Sequence, residues 1–215
     1  MALQLDRMTF DEVKEYLRRG PGIAILPAGA TEQHGVHGAL GTDTFAATCI
    51  ALKVAERVNG VVLPALAYGN STGHRHWPGT IGLSPSLLAS LARTVCEACI
   101  EHGFSVVLMI SGHRGNDPAL DVAATEARRD RRAHVLSMSY QDANKGRIHE
   151  IVGNLRGGLP AEDIRYGSDG HGGAVESSIA MVYDAAGFRP EKFAKPDRRL
   201  ADARRELKAA SRYDH

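Results

Sequence analysis

Two residues of metal-binding type, Glu32 and His34, stand two positions apart after a short apolar run at 23–27 that predicts a buried strand. In extended chain this spacing points both side chains the same way. Asp43 follows at the end of the loop predicted after this strand, and its two carboxylate oxygens can serve two ions. Carboxylate and imidazole are ligands of first-row metals, and polar residues gather where parallel strands end. The stretch therefore predicts a metal site at the carboxyl end of a strand.

Three more polar clusters follow at the ends of predicted strands or helices, at 74–80, 111–116 and 169–176. A single polar residue after a strand usually caps a helix or bonds a turn. Four loops rich in His, Asp and Glu are instead typical of a catalytic site. We therefore expect these loops to meet at one place in the fold.

The apolar pattern predicts strands that alternate with helices. Short apolar runs bounded by turn residues predict strands near 22–27, 61–64, 105–110 and 133–138. The alternation predicts an α/β fold with a three-layer α/β/α architecture around a mainly parallel central sheet. No linker or repeat interrupts it, so we expect one domain over residues 1–215.

Local signals set some boundaries of the predicted helices. Thr9 and Glu12 form a capping box, and Ser84-Pro85 opens another helix. Residues 140–169, rich in glycine, are predicted to be irregular, and residues 198–212 to be helical.

The composition argues against a nucleic-acid or membrane partner. The chain has 215 residues, and 26 Lys and Arg against 25 Asp and Glu give a net charge of +1, so no strong field draws it to a polyanion. Its apolar runs are far shorter than a membrane span, and its N-terminus lacks the pattern of a signal peptide. We therefore expect a cytoplasmic protein.

Together the polar motifs resemble the creatininase (creatinine amidohydrolase) family, in the family's order and over roughly residues 20–185. The stretches that carry the resemblance are 26–35, 42–43, 77–81, 112–116 and 171–178. The resemblance implies a creatininase-like metallohydrolase with two divalent ions per chain, zinc, manganese or iron. It also implies hydrolysis of a non-peptide C–N bond in a small cyclic amide or formamide, and a homo-oligomer, with a hexamer as one possibility.

The resemblance also implies roles for individual residues. One ion would be held by Glu32, Asp43 and His113, and the other by His34, Asp43 and Glu176, with Asp43 bridging. A hydroxide between the ions would attack the amide carbon. His171 matches a histidine that carries a proton to the leaving nitrogen, and a structural role beside the ligands is its alternative.

Substrate contacts are expected from the loop after the second strand and from the residue after His113. The predicted substrate-binding residues are His74, Arg75, His76, Trp77 and Arg114. Creatininase itself carries an acidic residue at the position of Gly115, so this departure argues against creatinine as the substrate. Gly73 replaces a glutamate common in the family, and the positive character of Arg75 and His76 favours a substrate with a negative group.

Two alternative functions remain open at this point. One is a peptidase of the mycofactocin-maturation type, within the same family. The other is a non-catalytic protein that binds metal or a small molecule, although the complete ligand set argues against a decayed site. A serine hydrolase and a nucleotide-binding protein are disfavoured, because neither a G-x-S-x-G elbow nor a Walker or G-x-G-x-x-G motif is present.

Overall fold

The computed structural model describes residues 2–129, 133–143 and 171–192. The helix predicted at 198–212 and most of the stretch predicted to be irregular at 140–169 lie outside these residues. In the described ranges, none of the helices combines the length and apolar character needed to cross a bilayer.

Strands and helices alternate as the apolar pattern predicts. The strands are β1 Leu3–Gln4, β2 Gly22–Ala28, β3 Val61–Val62, β4 Phe104–Ser111 and β5 His134–Ser139. The helices are α1 Phe10–Arg18, α2 Thr42–Val58, α3 Pro85–Glu101, α4 Asp117–Ala127, α5 Tyr140–Ala143 and α6 Ala174–Tyr183. Short 3-10 turns lie at Leu5–Arg7, Thr72–His74, Arg114–Asn116, Ala185–Gly187 and Pro190–Lys192.

The described strands form one sheet in the order β1-β3-β2-β4-β5, and every pairing is parallel. β2 and β4 are neighbours, and Ala28 pairs with Ser111 where both strands end. The loops after these two strands therefore leave the sheet side by side, which brings the motif of Glu32 next to that of His113.

The core lies on both faces of the sheet, as a parallel sheet requires. Successive residues of β2 alternate between two clusters: Ala24 and Leu26 pack toward α3 and α4, and Ile25 packs toward α2. On the α2 side, α6 packs against α2 through Ala46 and Ala180. The helices on both faces of the sheet confirm the three-layer α/β/α prediction.

Helix ends follow the local signals of the sequence. At Thr9 the predicted capping box is present, with the Thr9 side chain and the Glu12 side chain each bonding the other's backbone amide. Ser84 caps α3 through the amide of Leu87. Asn59 ends α2 in the left-handed conformation with φ of 52°, which asparagine tolerates better than most residues.

The structure corrects two expectations from the sequence and adds one strand. Asp43 was expected in a loop but lies in the first turn of α2, where the helix dipole favours a carboxylate. β1 was not predicted, because a two-residue strand leaves no periodicity to detect. The stretch predicted to be irregular begins with one helical turn, α5.

Candidate metal centre

The polar motifs that follow β2 and β4 meet at the carboxyl edge of the sheet. Glu32 and His34 lie beyond the end of β2, and both side chains are fully buried. Asp43 enters from the first turn of α2, and Glu176 from the first turn of α6. Because α6 packs on α2, the three carboxylates converge although Glu176 is far away in sequence.

Within the described residues the converging side chains include two sets of three that could each hold a cation. One is Glu32, Asp43 and His113, and the other is His34, Asp43 and Glu176. Asp43 belongs to both: its Oδ1 lies 3.2 Å from Nε2 of His34, and its Oδ2 lies 3.3 Å from Nδ1 of His113. These are the two sets that the family resemblance implies, and their role as ligands stays a prediction.

His34 faces the carboxylates with the nitrogen that its backbone contact leaves free. Its Nδ1 lies 3.0 Å from the carbonyl oxygen of Glu32. A carbonyl can only accept, so Nδ1 is assigned as the donor. Nε2 of the neutral ring then presents a lone pair to Asp43 and, at 3.5 Å, to Glu176. A lone pair that faces two buried carboxylates favours a cation between them, either a proton or a metal ion.

His113 is oriented in the same manner through its other nitrogen. Its Nε2 donates to the carbonyl oxygen of Asn70 at 2.9 Å. Its Nδ1 then faces Glu32 Oε1 at 3.2 Å and Asp43 Oδ2 at 3.3 Å. A backbone carbonyl behind a metal-facing imidazole is the usual arrangement in metal sites, since it fixes both the tautomer and the ring plane.

The electrostatics of the cluster also fit a cation. Both carboxylate oxygens of Glu32 and Oδ2 of Asp43 are buried without a hydrogen-bond partner in the described part of the chain. Without a metal ion, burial raises the pKa of Asp43 to about 7, and burial with the nearby Asp43 raises that of Glu176 to about 8. Unpaired buried carboxylates are costly, so the donor set suits one or more divalent ions.

His171 lies at the more open side of the cluster. Its Nε2 bonds the carbonyl oxygen of Gln33, and its Nδ1 lies 3.3 Å from Glu32 Oε1. The side chain is 29% exposed, and its ring stacks on that of His74 and lies tilted against that of His34. Burial lowers the pKa of His171 to about 4, so the ring is neutral at pH 7. With Glu32 and His34 it forms a third possible ligand set, so proton transfer and ligation both remain predictions.

The residues predicted to bind substrate separate into two groups. His74 reaches the cluster, with Nε2 at 3.8 Å from Glu32 Oε1. Arg75, His76 and Trp77 follow on the same loop and are exposed, Trp77 by 58%. Arg114 points to Asp142 and forms an ion pair at 3.0 Å. Of the five, His74 is therefore the one that the structure brings to the proposed ligands.

Several residues that orient the cluster had no role in the sequence analysis. Gln33 donates its amide to Nδ1 of His74 at 2.9 Å, which leaves His74 Nε2 to carry the proton toward Glu32. The backbone amide of Gln33 bonds Thr80. The carbonyl oxygen of Asn70 bonds His113, and the side chain of Asn116 bonds the backbone amide of Asn70. Sequence alone gave little signal for these residues, because their partners are main-chain atoms or side chains on loops distant in sequence.

Sequence comparisons agree with the motifs. The family described as "Creatininase: Creatinine amidohydrolase" matches residues 6–215. A creatinine amidohydrolase of Pseudomonas putida is 31% identical over 188 residues, which cover 81% of this chain and 69% of that protein. A mycofactocin precursor peptide peptidase of Mycolicibacterium smegmatis is 34% identical over 145 residues, covering 60% of this chain and 56% of that protein.

Solved structures agree with the fold. A structure described as "Creatininase Mn" has a TM-score of 0.77 and 25% identity, covering 91% of this chain and 79% of that one. A mutant creatininase of Zn-Zn type has a TM-score of 0.76 and 26% identity, covering 91% of this chain and 78% of that one. Both similar proteins are thus described by the metals they carry.

Proposed function

The chain belongs to the creatininase family, whose members are hydrolases that act on C–N bonds, and on that premise we propose that it is a binuclear metal-dependent amidohydrolase. The substrate would be a small cyclic amide or formamide, hydrolysed at a non-peptide C–N bond. The observation that carries the proposal is the pair of ligand sets joined at Asp43. The manganese and Zn-Zn forms of similar creatininases support this choice of cofactor.

Each proposed ligand set combines one neutral imidazole with two carboxylates. Glu32, Asp43 and His113 would hold one ion, and His34, Asp43 and Glu176 the other. Zinc, manganese and iron all accept this nitrogen and oxygen donor set. When bound, such ions polarise an amide carbonyl and activate water for attack at neutral pH.

The residues around the ligands would handle protons and orient the substrate. Neutral His171 can take a proton at Nδ1 and pass it to the leaving nitrogen, because the ring lies at the open side of the cluster. His74 presents its Nε2 proton toward Glu32, held there by Gln33. A substrate oxygen that approaches Glu32 would meet this donor.

A peptidase is the second candidate function. The peptidase of Mycolicibacterium smegmatis is 34% identical over the part of the chain that it matches, so a short peptide belongs in any substrate screen. The same ligand sets would serve either substrate, since both reactions cleave a C–N bond next to a carbonyl.

We also propose a homo-oligomer, in line with the family resemblance.

The proposal is tested by hydrolysis assays on protein reconstituted with zinc, manganese or iron. Cyclic amides, formamides and short peptides would be offered, and the released amine or carboxylate measured. We expect hydrolysis that stops on chelation and returns with metal, and that falls by at least about 1,000-fold in Asp43→Ala, since both ions lose a ligand. Hydrolysis that survives chelation or the Asp43→Ala change would contradict the proposal.

A further inference from the structure

We propose that Asn116 is the positioning residue of the metal centre: it holds Asn70 in place, and the Asn70 carbonyl then keeps His113 aimed at Glu32 and Asp43. The inference rests on the proposed function in one respect, that His113 binds a metal ion. It goes beyond that function because it assigns a task to a buried residue outside both ligand sets.

Asn116 ties together three segments that are far apart in sequence. Its side chain is fully buried. Its Nδ2 donates to the carbonyl oxygen of Gly29 at 2.8 Å, just beyond the end of β2. Its Oδ1 accepts from the backbone amide of Asn70 at 2.8 Å. Asn116 is the last residue of the turn after β4, directly before α4, so one amide group connects the loop after β2, the loop after β3 and the turn after β4.

Asn70 transmits this restraint to His113. The amide of Asn70 is held by Asn116, and the side chain of Asn70 donates to the carbonyl of Gly115 at 3.1 Å. The carbonyl oxygen of Asn70 accepts the Nε2 proton of His113 at 2.9 Å. Because Asn70 is held through both its backbone amide and its side chain, its carbonyl oxygen has a defined position. The ring of His113 is fixed in turn, and its Nδ1 lone pair has a defined direction.

Two glycines pack closely against this hydrogen-bond network. A Cβ added at Gly69 would overlap the side chain of Asn116 and the carbonyl of Gly29. A Cβ added at Gly115 would overlap the ring of His113 and the carbonyl of Asn70. The hydrogen bond between His113 and Asn70 can therefore be disturbed from two independent sides, through Asn116 or through Gly115.

Asparagine meets the chemical demand at position 116. The site requires one donor for the Gly29 carbonyl and one acceptor for the Asn70 amide, both within a buried space. Aspartate cannot donate when ionised, and an apolar residue would leave both backbone groups unpaired. Replacing Asn116 should weaken the binding of one ion only, because the set of His34, Asp43 and Glu176 does not include His113.

The test compares zinc affinities of the full-length protein by competition with a chelating dye. The variants are Asn116→Ala and Gly115→Ala. The control is Thr72→Val, which removes an exposed hydrogen bond to the Asn70 side chain but leaves its carbonyl in place. We expect both variants to bind one of the two ions about 10–100-fold more weakly, which is the usual effect of removing a hydrogen-bond partner of a metal ligand. The other ion and the control should match the parent.

A second readout follows the hydrogen bond directly. Nitrogen-15 NMR of the zinc-loaded parent should show His113 protonated at Nε2, and the two variants should lose or shift this signal. A His113 protonated at Nδ1 in the parent would overturn the inference even if the variants do not fold. Parental affinity in both variants, or equal loss of both ions, would also overturn it. A parent that binds no zinc would instead contradict the proposed function.

Discussion

Asp43 is the residue on which the two proposed ligand sets depend together. Its Oδ1 faces His34 and its Oδ2 faces His113, so each oxygen is committed to a different set. The residue is buried, and Oδ2 has no hydrogen-bond donor among the described residues. A carboxylate in this position is poorly explained by packing and well explained by a bridging role.

His171 differs from His34 and His113 in its exposure: 29% of its side chain is exposed, against 0% for His34 and 11% for His113. A proton carrier at this position would be needed for turnover and dispensable for metal binding. We expect His171→Ala to keep its metal content while turnover falls about 100–10,000-fold, the usual range for a lost general acid or base. Elemental analysis beside an activity assay checks this.

His171→Gln is the conservative companion of that variant, since it keeps a polar group near Glu32 but cannot carry a proton. Comparable loss in both variants supports proton transfer. If either variant loses an ion, His171 is a ligand, as the third possible set of Glu32, His34 and His171 allows.

At the scale of elements, the centre depends on how closely α2 approaches the end of β4. Gly112 lies against the first turn of α2, and an added Cβ would overlap the backbone oxygen of Asp43. We expect Gly112→Ala to displace that turn and lower the free energy of unfolding by about 1–3 kcal/mol, as overpacked sites do. It should also weaken metal binding, because Asp43 moves with the helix.

Gly73→Ala is the matched control, since a Cβ at Gly73 would meet no atom within 4 Å. Thermal unfolding and metal titration of both variants measure whether Gly112→Ala alone lowers stability and metal affinity. Equal behaviour of Gly112→Ala and Gly73→Ala would show that close approach of α2 does not position Asp43.

The sequence indicated much of this arrangement, for physical reasons that can be named. Continuous apolar runs identify buried parallel strands, so β2 and β4 were found within one or two residues of their bounds. The polar residues after them then had to share one edge. The pairing of β2 with β4 was not predictable, because periodicity says nothing about which strands are neighbours.

The outer partners of the ligands were not predicted for a different reason. Asn70 contacts His113 through its backbone carbonyl, which any residue type supplies, and the backbone amide of Asn70 is bound by the side chain of Asn116. Asn116 lay inside a recognised motif, yet its partners at Gly29 and Asn70 are set by tertiary structure alone. Three-dimensional packing was needed to find them.

At the scale of the whole molecule, the buried carboxylates link stability to pH. In metal-free protein the pKa of Asp43 rises to about 7 and that of Glu176 to about 8, both above the values in unfolded chain. The folded state therefore holds protons that the unfolded state releases, and stability falls as pH rises through these values. His171, with its pKa lowered to about 4, opposes this trend only below about pH 6.5, the usual histidine value.

We therefore expect metal-free protein to lose stability between pH 6.5 and 8, by an amount on the order of 1–2 kcal/mol. With metal bound, stability should instead rise with pH over this range, because the ligands bind ions in their deprotonated form. Thermal unfolding of chelated and zinc-saturated samples at several pH values checks both signs. A metal-free midpoint that rises over this range would show that these carboxylates are not the groups that control stability.

A two-ion centre is tested most directly by the metal content of the purified protein, measured by elemental analysis with the Glu176→Ala variant beside it. Glu176 belongs to only one of the two proposed binuclear sets. We expect about two equivalents per chain in the parent and about one in the variant, as for a two-ion site. A parent that holds no metal after reconstitution with zinc, manganese or iron, or a variant that keeps both ions, would contradict this expectation.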